Sequence, residues 1–370
     1  MSTEFFIGLM SGTSIDGIDC SIIALDGAAV EVIATHYEEW PTKLRKDIFT
    51  LCDGTNISLE LLGKTDVAIG KLFASIVKRT IQKTEIDPRA VKAIGSHGQT
   101  IWHQPTGNNP FTMQIGDPNI ISQQTGITTV SAFRQKDIAS GGQGAPLAPL
   151  FHQEFFHDTK CDRTIVNIGG IANITMLARR GACSAYDIGP GNVLLDYWNY
   201  KERGTRFDKN GSWAASGQYS DELLNKMRTE PYLEQSPPKS TGRELFNGPW
   251  LEEKISQCSE SLQPNNVQAT LCEFTSRNIA DAIINFSTDA EVYICGGGAH
   301  NSLLMENLSS KLGRNVATTS DLGIGPDWVE SAAFAWMAKQ TINGEKLETS
   351  PFTGASRPSI LGGIYLSDYS

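Results

Sequence analysis

Residues 5–25 read FFIGLMSGTSIDGIDCSIIAL, two apolar runs separated by SGTSIDGID. The runs FFIGLM and CSIIAL have the length and residue types of buried strands. The insert holds two glycines, two aspartates and small hydroxyl residues. A hairpin needs such residues to turn, and so does a loop whose backbone N–H groups face a phosphate. The stretch alone leaves both readings open. The plan returns 159 positions later (164 against 5) in TIVNIGGIANITML, residues 164–177, as strand, glycine turn and strand. At 291–312, EVYICGGGAHNSLLMENLSSKL reads as a buried strand, three glycines and a helix with Leu303, Leu304, Leu308 and Leu312 on its apolar positions. A helical pattern over 59–80 carries Leu62, Val67, Ile69, Leu72, Phe73 and Ile76. Strand hairpins followed by helices, once in each half, predict an α/β protein of two similar domains, each a mixed sheet flanked by helices, facing a cleft. The expected division is 1–138, joined by 345–370, and 139–344. The polar, Pro-rich PYLEQSPPKSTGRELFN, 231–247, reads as an excursion over the surface or the cleft rim.

Composition narrows the function. At 370 residues the chain exceeds the size at which one core stops growing, so two domains are expected. A net charge of −10 argues against a nucleic-acid surface, though it leaves room for a local basic pocket. The seven cysteines show no CxxC and no metal-site spacing, which fits reduced cytosolic thiols. MSTEFFIGLM lacks the basic start and long apolar run of a signal peptide, and no run approaches 18 apolar residues. A cytoplasmic protein with no membrane or nucleic-acid partner is expected.

Three glycine turns after strands fit neither GxxxxGK[ST] nor GxGxxG beside a first strand. The architecture that uses such turns otherwise is that of actin, the heat-shock chaperone ATPases and the sugar kinases. There a hairpin turn in each domain holds phosphates and a Gly-rich strand–helix junction holds adenosine. The motifs MSGTSIDGID (10–19), SHGQTIWHQP (96–105), QIGDPN (114–119), FRQKDIASGGQGAPLAP (133–149), NIGGIAN (167–173), DIGPGN (187–192), PKSTGRELFN (238–247), ICGGGAHN (294–301) and TGAS (353–356) closely resemble the anhydro-N-acetylmuramic acid kinase family. The resemblance runs end to end. It implies a cell-wall recycling enzyme that takes 1,6-anhydro-N-acetylmuramic acid, ATP and water to N-acetylmuramic acid 6-phosphate and ADP. It also implies a cytoplasmic homodimer that needs Mg²⁺.

By this resemblance Gly12, Thr13, Ser14, Ile15, Asp16, Gly17, Ile18 and Asp19 form the first phosphate loop, with Asp16 and Asp19 as candidates for holding Mg²⁺-bound waters. The wider superfamily usually carries an aspartate two residues before this glycine. Here that place is Met10, so the metal's protein ligands are left unassigned. Gly169, Gly170 and Asn173 match the second phosphate loop, and Gly296, Gly297 and Gly298 the adenosine contact. Any of these glycines has a plain alternative, a turn or a close backbone approach. Asp187 matches the family's catalytic base; without the motif it would read as a turn aspartate before Gly189. Glu330 lies in the first turn of PDWVESAAFAWMAKQTING, a helix expected to start at Pro326 and stop at Gly344. It is the second candidate, for orienting water, against the alternative of a glutamate favoured by the helix dipole.

The anionic lactyl group of the sugar suits a guanidinium, with Arg134 first and Arg243 second. His97, Gln99 and Thr100 are candidates for polar sugar contacts. His97 and His103, six apart, lack a third ligand at metal spacing. Two other classes stay open: a kinase that phosphorylates a free hydroxyl without consuming water, and an actin-like ATP switch with no reaction of its own.

Overall fold

The computed structural model describes residues 3–368 apart from 28, 56, 238 and 260, so Pro238 of PKSTGRELFN lies outside the described residues. The strands are β1 (Glu4–Ser11), β2 (Gly17–Asp26), β3 (Ala29–Glu39), β4 (Val91–Gln104), β5 (Phe111–Ile115), β6 (Thr129–Ser131), β7 (Arg163–Ile168), β8 (Ile171–Leu177), β9 (Ser184–Pro190), β10 (Glu291–Cys295), β11 (Ala317–Thr318) and β12 (Gly363–Tyr365). They form two sheets. One runs β12-β6-β4-β1-β2-β3 with β5 paired to β4, and the other runs β11-β10-β7-β8-β9.

The two sheets share a plan. In the first, β1, β2 and β3 are antiparallel and β4 lies parallel beside β1. In the second, β7, β8 and β9 are antiparallel and β10 lies parallel beside β7. The repeated strand–glycine–strand sequence is therefore a repeated sheet, as the two hairpins predicted. Burial follows the sequence pattern. From Ile7 to Leu25 both strands of the first hairpin are almost wholly buried, because they lie in the middle of the sheet, whereas β3 alternates as an edge strand should.

The chain divides into two compact units, residues 1–155 with 328–370 and residues 156–327. In the first unit the Leu59–Ile81 helix starts at Ser58, whose side chain accepts from the Leu61 N–H. Its buried stripe is Ile69, Phe73, Ile76 and Val77; Val67, expected on that stripe, is exposed. Phe73 and Ile76 are fully buried, each worth about 2 kcal/mol by area. The Val329–Ile342 helix, expected with the C-terminal domain, packs on β1 and β4 of the first sheet. It does so because Gly8 and Gly95, register partners on β1 and β4, present a flat floor to it. A Cβ on either would overlap a helix carbonyl, that of Ser331 or Phe334. Pro326 lies in the turn before this helix rather than in its first turn.

In the second unit the Pro264–Phe286 helix is buried along most of its length against β8 and β9. The Ser302–Leu312 helix follows the triple glycine after one 3₁₀ turn, and Asn301 caps it by accepting from the Leu304 N–H. The seven cysteines form no disulfide. Among the described residues no helix is long and apolar enough to cross a membrane.

Candidate functional site

In the first unit, the expected phosphate loop is shorter than the motif. Gly12 to Asp16 form the turn, while Gly17, Ile18 and Asp19 already belong to β2. Ile18 is fully buried core, and a Cβ on Gly17 would meet the Tyr37 ring. These two hold the strand in place. Gly12 differs: it has neither a positive φ nor crowding to demand glycine, its nearest contact for an added Cβ being Ser14 Oγ at 3.6 Å. The Thr13 and Ser14 N–H groups make no hydrogen bond among the described residues. Ile15 is buried with φ of 55°, a conformation that costs a β-branched residue on the order of 1–3 kcal/mol. The strain is held by Arg45, whose Nε donates to the Ile15 carbonyl at 2.9 Å.

Gln99, expected as a sugar contact, is bonded to this loop. It is fully buried, its Oε1 accepts from Ser11 Oγ (2.7 Å), and its Nε2 donates to the carbonyls of Gly12 (3.3 Å) and Thr100 (3.0 Å). Its amide is used up within the protein. Thr100 is half-buried with Oγ1 accepting from Gln114.

Arg134 and His97 do come together. Arg134 Nε donates to His97 Nε2 (2.8 Å) and one Nη donates to the Gly144 carbonyl (2.8 Å). Since His97 Nε2 accepts, its Nδ1 carries the proton and donates to the Gly98 carbonyl at 2.9 Å. Burial and the Arg134 charge push His97 well below the ordinary histidine range, so the ring is neutral. The second Nη of Arg134 makes no hydrogen bond among the described residues. Glu330, half-buried in the first turn of its helix, is an electrostatic partner of Arg134. Sequence reasoning set His103 aside, yet Arg134 is also close enough to lower it, after burial, to about 4.

In the second unit, the NIGGIAN turn and DIGPGN interlock. The Gly170 carbonyl accepts from Gly191 N (2.9 Å) and Val193 N (3.0 Å), and the Gly169 carbonyl from Asn192 N (2.8 Å). The oxygens that would repel a phosphate are thus occupied, while the N–H groups of Gly169 and Gly170 have no partner among the described residues. Neither glycine is demanded by φ or crowding. The triple glycine splits by the same test. Gly296 has φ of 76° and Gly298 would drive a Cβ into Ile168, so both are needed by the fold. Gly297 is not, its nearest contact being Asn192 Nδ2 at 3.8 Å. We therefore expect Gly169→Ala and Gly297→Ala to keep the native melting temperature and to raise the KM for ATP roughly tenfold, about 1.4 kcal/mol. Gly296→Ala should instead unfold the protein at lower temperature. Thermal melts beside nucleotide titrations check both halves, and a KM left unchanged in the first two would remove those glycines from the site.

Asp187 is the cross-strand partner of Asn173, so the second loop and the candidate base share one end of the sheet. Its carboxylate accepts from the Thr241 N–H (3.1 Å), its carbonyl from the Tyr232 hydroxyl (2.7 Å), and its N–H donates to the Lys239 carbonyl (3.2 Å). Burial pushes its pKa up to about 6, against the Thr241 N–H, with the Glu244 charge adding to the rise. The segment 231–247, read as an excursion over the surface or the cleft rim, supplies these three bonds to Asp187; PKSTGRE was visible in the sequence, but only Arg243 had been drawn from it. Arg243 itself is exposed. Among the described residues no group of three or more His, Cys, Asp or Glu is placed to hold a metal ion.

The first unit thus offers a turn with N–H groups unpaired among the described residues and a guanidinium beside a neutral histidine, and the second unit offers a turn of the same kind beside a carboxylate with a raised pKa. Comparison with known proteins finds a family profile described as anhydro-N-acetylmuramic acid kinase matching residues 4–367. The chain is 46% identical over 369 residues to the protein of that name from Coxiella burnetii, covering 99% of this chain and 98% of the other. It is 44% identical over 368 residues to that from Vibrio cholerae, covering 99% of each. Among solved structures, the activator of the 2-hydroxyisocaproyl-CoA dehydratase from Clostridium difficile with bound ADPNP aligns at a TM-score of 0.47 and 13% identity, over 92% of this chain and 97% of that one.

Proposed function

The chain belongs to the anhydro-N-acetylmuramic acid kinase family, and from that premise we propose how its residues divide the work. It opens 1,6-anhydro-N-acetylmuramic acid with water and passes the γ-phosphoryl group of ATP to O6, giving N-acetylmuramic acid 6-phosphate and ADP in peptidoglycan recycling. The observation that carries the residue assignment is Asp187, a carboxylate with a raised pKa beside the second glycine turn. Water forms the new bond to C1 and gives one proton to Asp187. The C1–O6 bond breaks, O6 bonds to the γ-phosphorus, and ADP leaves with the electrons of the broken P–O bond. No acid is needed on the leaving oxygen, because phosphorus captures it. An inverting glycosidase, by contrast, needs a carboxylic acid there.

Gly12 to Ser14 and Gly169 with Gly170 supply N–H donors for the phosphates, and Gly297 lies against adenosine. Arg134 binds the lactyl carboxylate through its second Nη, and Glu330 orients the sugar or the water. Mg²⁺ fits this set as an ion carried by the nucleotide, which needs few protein carboxylates; Asp16, exposed in the first turn, and Asp19 on β2 are donors of the right kind. Bound there, Mg²⁺ would neutralise phosphate charge. The enzyme works as a cytoplasmic homodimer in this reading, supported by the family resemblance.

The test is the pH dependence of kcat/KM for the sugar at saturating ATP. A base must be ionised, so activity should be full above pH 7 and fall as pH drops through about 6. A profile flat down to pH 5 would take Asp187 out of the proton transfer.

A further inference from the structure

We infer that Lys239 is a positioning residue for the reaction: its ammonium locks the loop whose main chain holds Asp187. The inference rests on the reading of Asp187 as the base. All three bonds to Asp187 described above come from Tyr232, Lys239 and Thr241, and beyond the short Pro231–Glu234 helix the described residues up to 241 are in neither helix nor strand. Ordering such a loop costs backbone entropy, so something must hold it. Lys239 Nζ donates to the carbonyls of Tyr232 (3.2 Å), which also accepts from the Gln235 N–H (3.2 Å), and of Leu233 (3.1 Å), and so clamps the end of the short helix. The same ammonium lies 4.8 Å from the centre of the Tyr232 ring and 5.8 Å from that of Tyr186.

The lysine thus ties together the residue that anchors the Asp187 carbonyl, the strand neighbour of Asp187, and its own main chain, which accepts the Asp187 N–H. A half-buried lysine normally pairs with a carboxylate. Among the described residues Lys239 has no such salt bridge; its contacts are carbonyls and ring faces. Burial lowers its pKa below the ordinary lysine value. The Thr241 N–H meets the Asp187 carboxylate, Tyr232 and the Lys239 main chain meet its backbone, and Glu244 shifts the carboxylate by charge while the Lys239 ammonium does not. Lys239 therefore acts through the loop's geometry.

The test is Lys239→Met, which keeps the bulk and removes the cation. With the loop loosened, water reaches Asp187 and the main cause of its raised pKa weakens. The expected result is a fall in kcat of about 10²-fold, KM values for sugar and ATP within a few-fold of native, and an acid limb displaced downward from about 6. Lys239→Arg should restore most of kcat. Tyr232→Phe, which removes only the hydroxyl bond to Asp187, should move kcat and the limb in the same direction by less, and it decides the matter if Lys239→Met does not fold. A folded Lys239→Met or Tyr232→Phe with native kcat and native acid limb overturns the inference and leaves Asp187 as the base untouched. If instead Asp187→Asn is active with the limb still present, the base reading itself has failed, and the inference falls with it.

Discussion

Asp187→Asn is expected to lower turnover by about 10⁴-fold while ATP binds within a few-fold of its native affinity. Loss of a general base typically costs about 10²–10⁴. The upper end applies because the neutral amide cannot take the proton of the attacking water and also fails to stabilise positive charge growing at C1. ATP affinity should hold, since the N–H donors assigned to its phosphates belong to Gly12–Ser14 and to Gly169 and Gly170, not to this side chain. The same substitution should stabilise the fold. Asp187 titrates at about 6 in the folded protein against an ordinary value near 4, so ionising it in place costs on the order of 2–3 kcal/mol. That cost is fully present above pH 6 and vanishes below about pH 4. The Asn variant should therefore melt higher than the native protein at pH 7.5 and no higher at pH 4. A variant that keeps a tenth of native turnover, or that melts lower at neutral pH, would contradict the assignment and make Glu330 the next base to examine.

The second large effect is on stability. Gly8→Ala and Gly95→Ala are each expected to destabilise the first unit by about 3 kcal/mol or more. An added methyl on Gly8 would overlap the Ser331 carbonyl and lie 2.8 Å from Ala335 N. On Gly95 it would overlap the Phe334 carbonyl and lie 3.2 Å from Ala338 Cβ. Backbone cannot move aside as a flexible side chain can, so the Val329–Ile342 helix must lift off the sheet. A fall in melting temperature of roughly 6–12 °C follows for a unit of this size. Because that helix carries Glu330, folded protein should also show a raised KM for the sugar. The two changes act on one helix, so their sum should overstate the double variant. Gly63, in the Leu59–Ile81 helix with nothing within 4 Å of an added Cβ, is the control: Gly63→Ala should be neutral or stabilising by about 0.5–1 kcal/mol. Native melting of Gly8→Ala would mean that the helix is not seated on β1 as described.

The duplicated sheets were legible because a strand, a glycine turn and a strand leave a local signature that needs no tertiary information. Asp187 and Arg134 were singled out for another reason, the length of the motifs around them. What a linear pattern could not separate was glycine from glycine. Gly169 and Gly297 are not demanded by φ or crowding, while Gly296 and Gly298 are, and only the packing of Asn167 and Ile168 against them reveals the difference. Nor could the sequence show the bonds of Gln99: a polar residue in a motif reads as a ligand, while its amide also bonds to Ser11 and Gly12. The grip of Tyr232, Lys239 and Thr241 on Asp187 was hidden because its bonds come largely from main-chain groups, which residues of almost any type can supply.

The central claim is that water attacks C1 while O6 leaves to phosphorus, and it is tested by a single turnover in ¹⁸O-labelled water, stopped before the sugar's anomeric hydroxyl exchanges. The account predicts one ¹⁸O at C1 of N-acetylmuramic acid 6-phosphate and none in its phosphoryl group. Product unlabelled at C1, or label in the phosphoryl group, would contradict it.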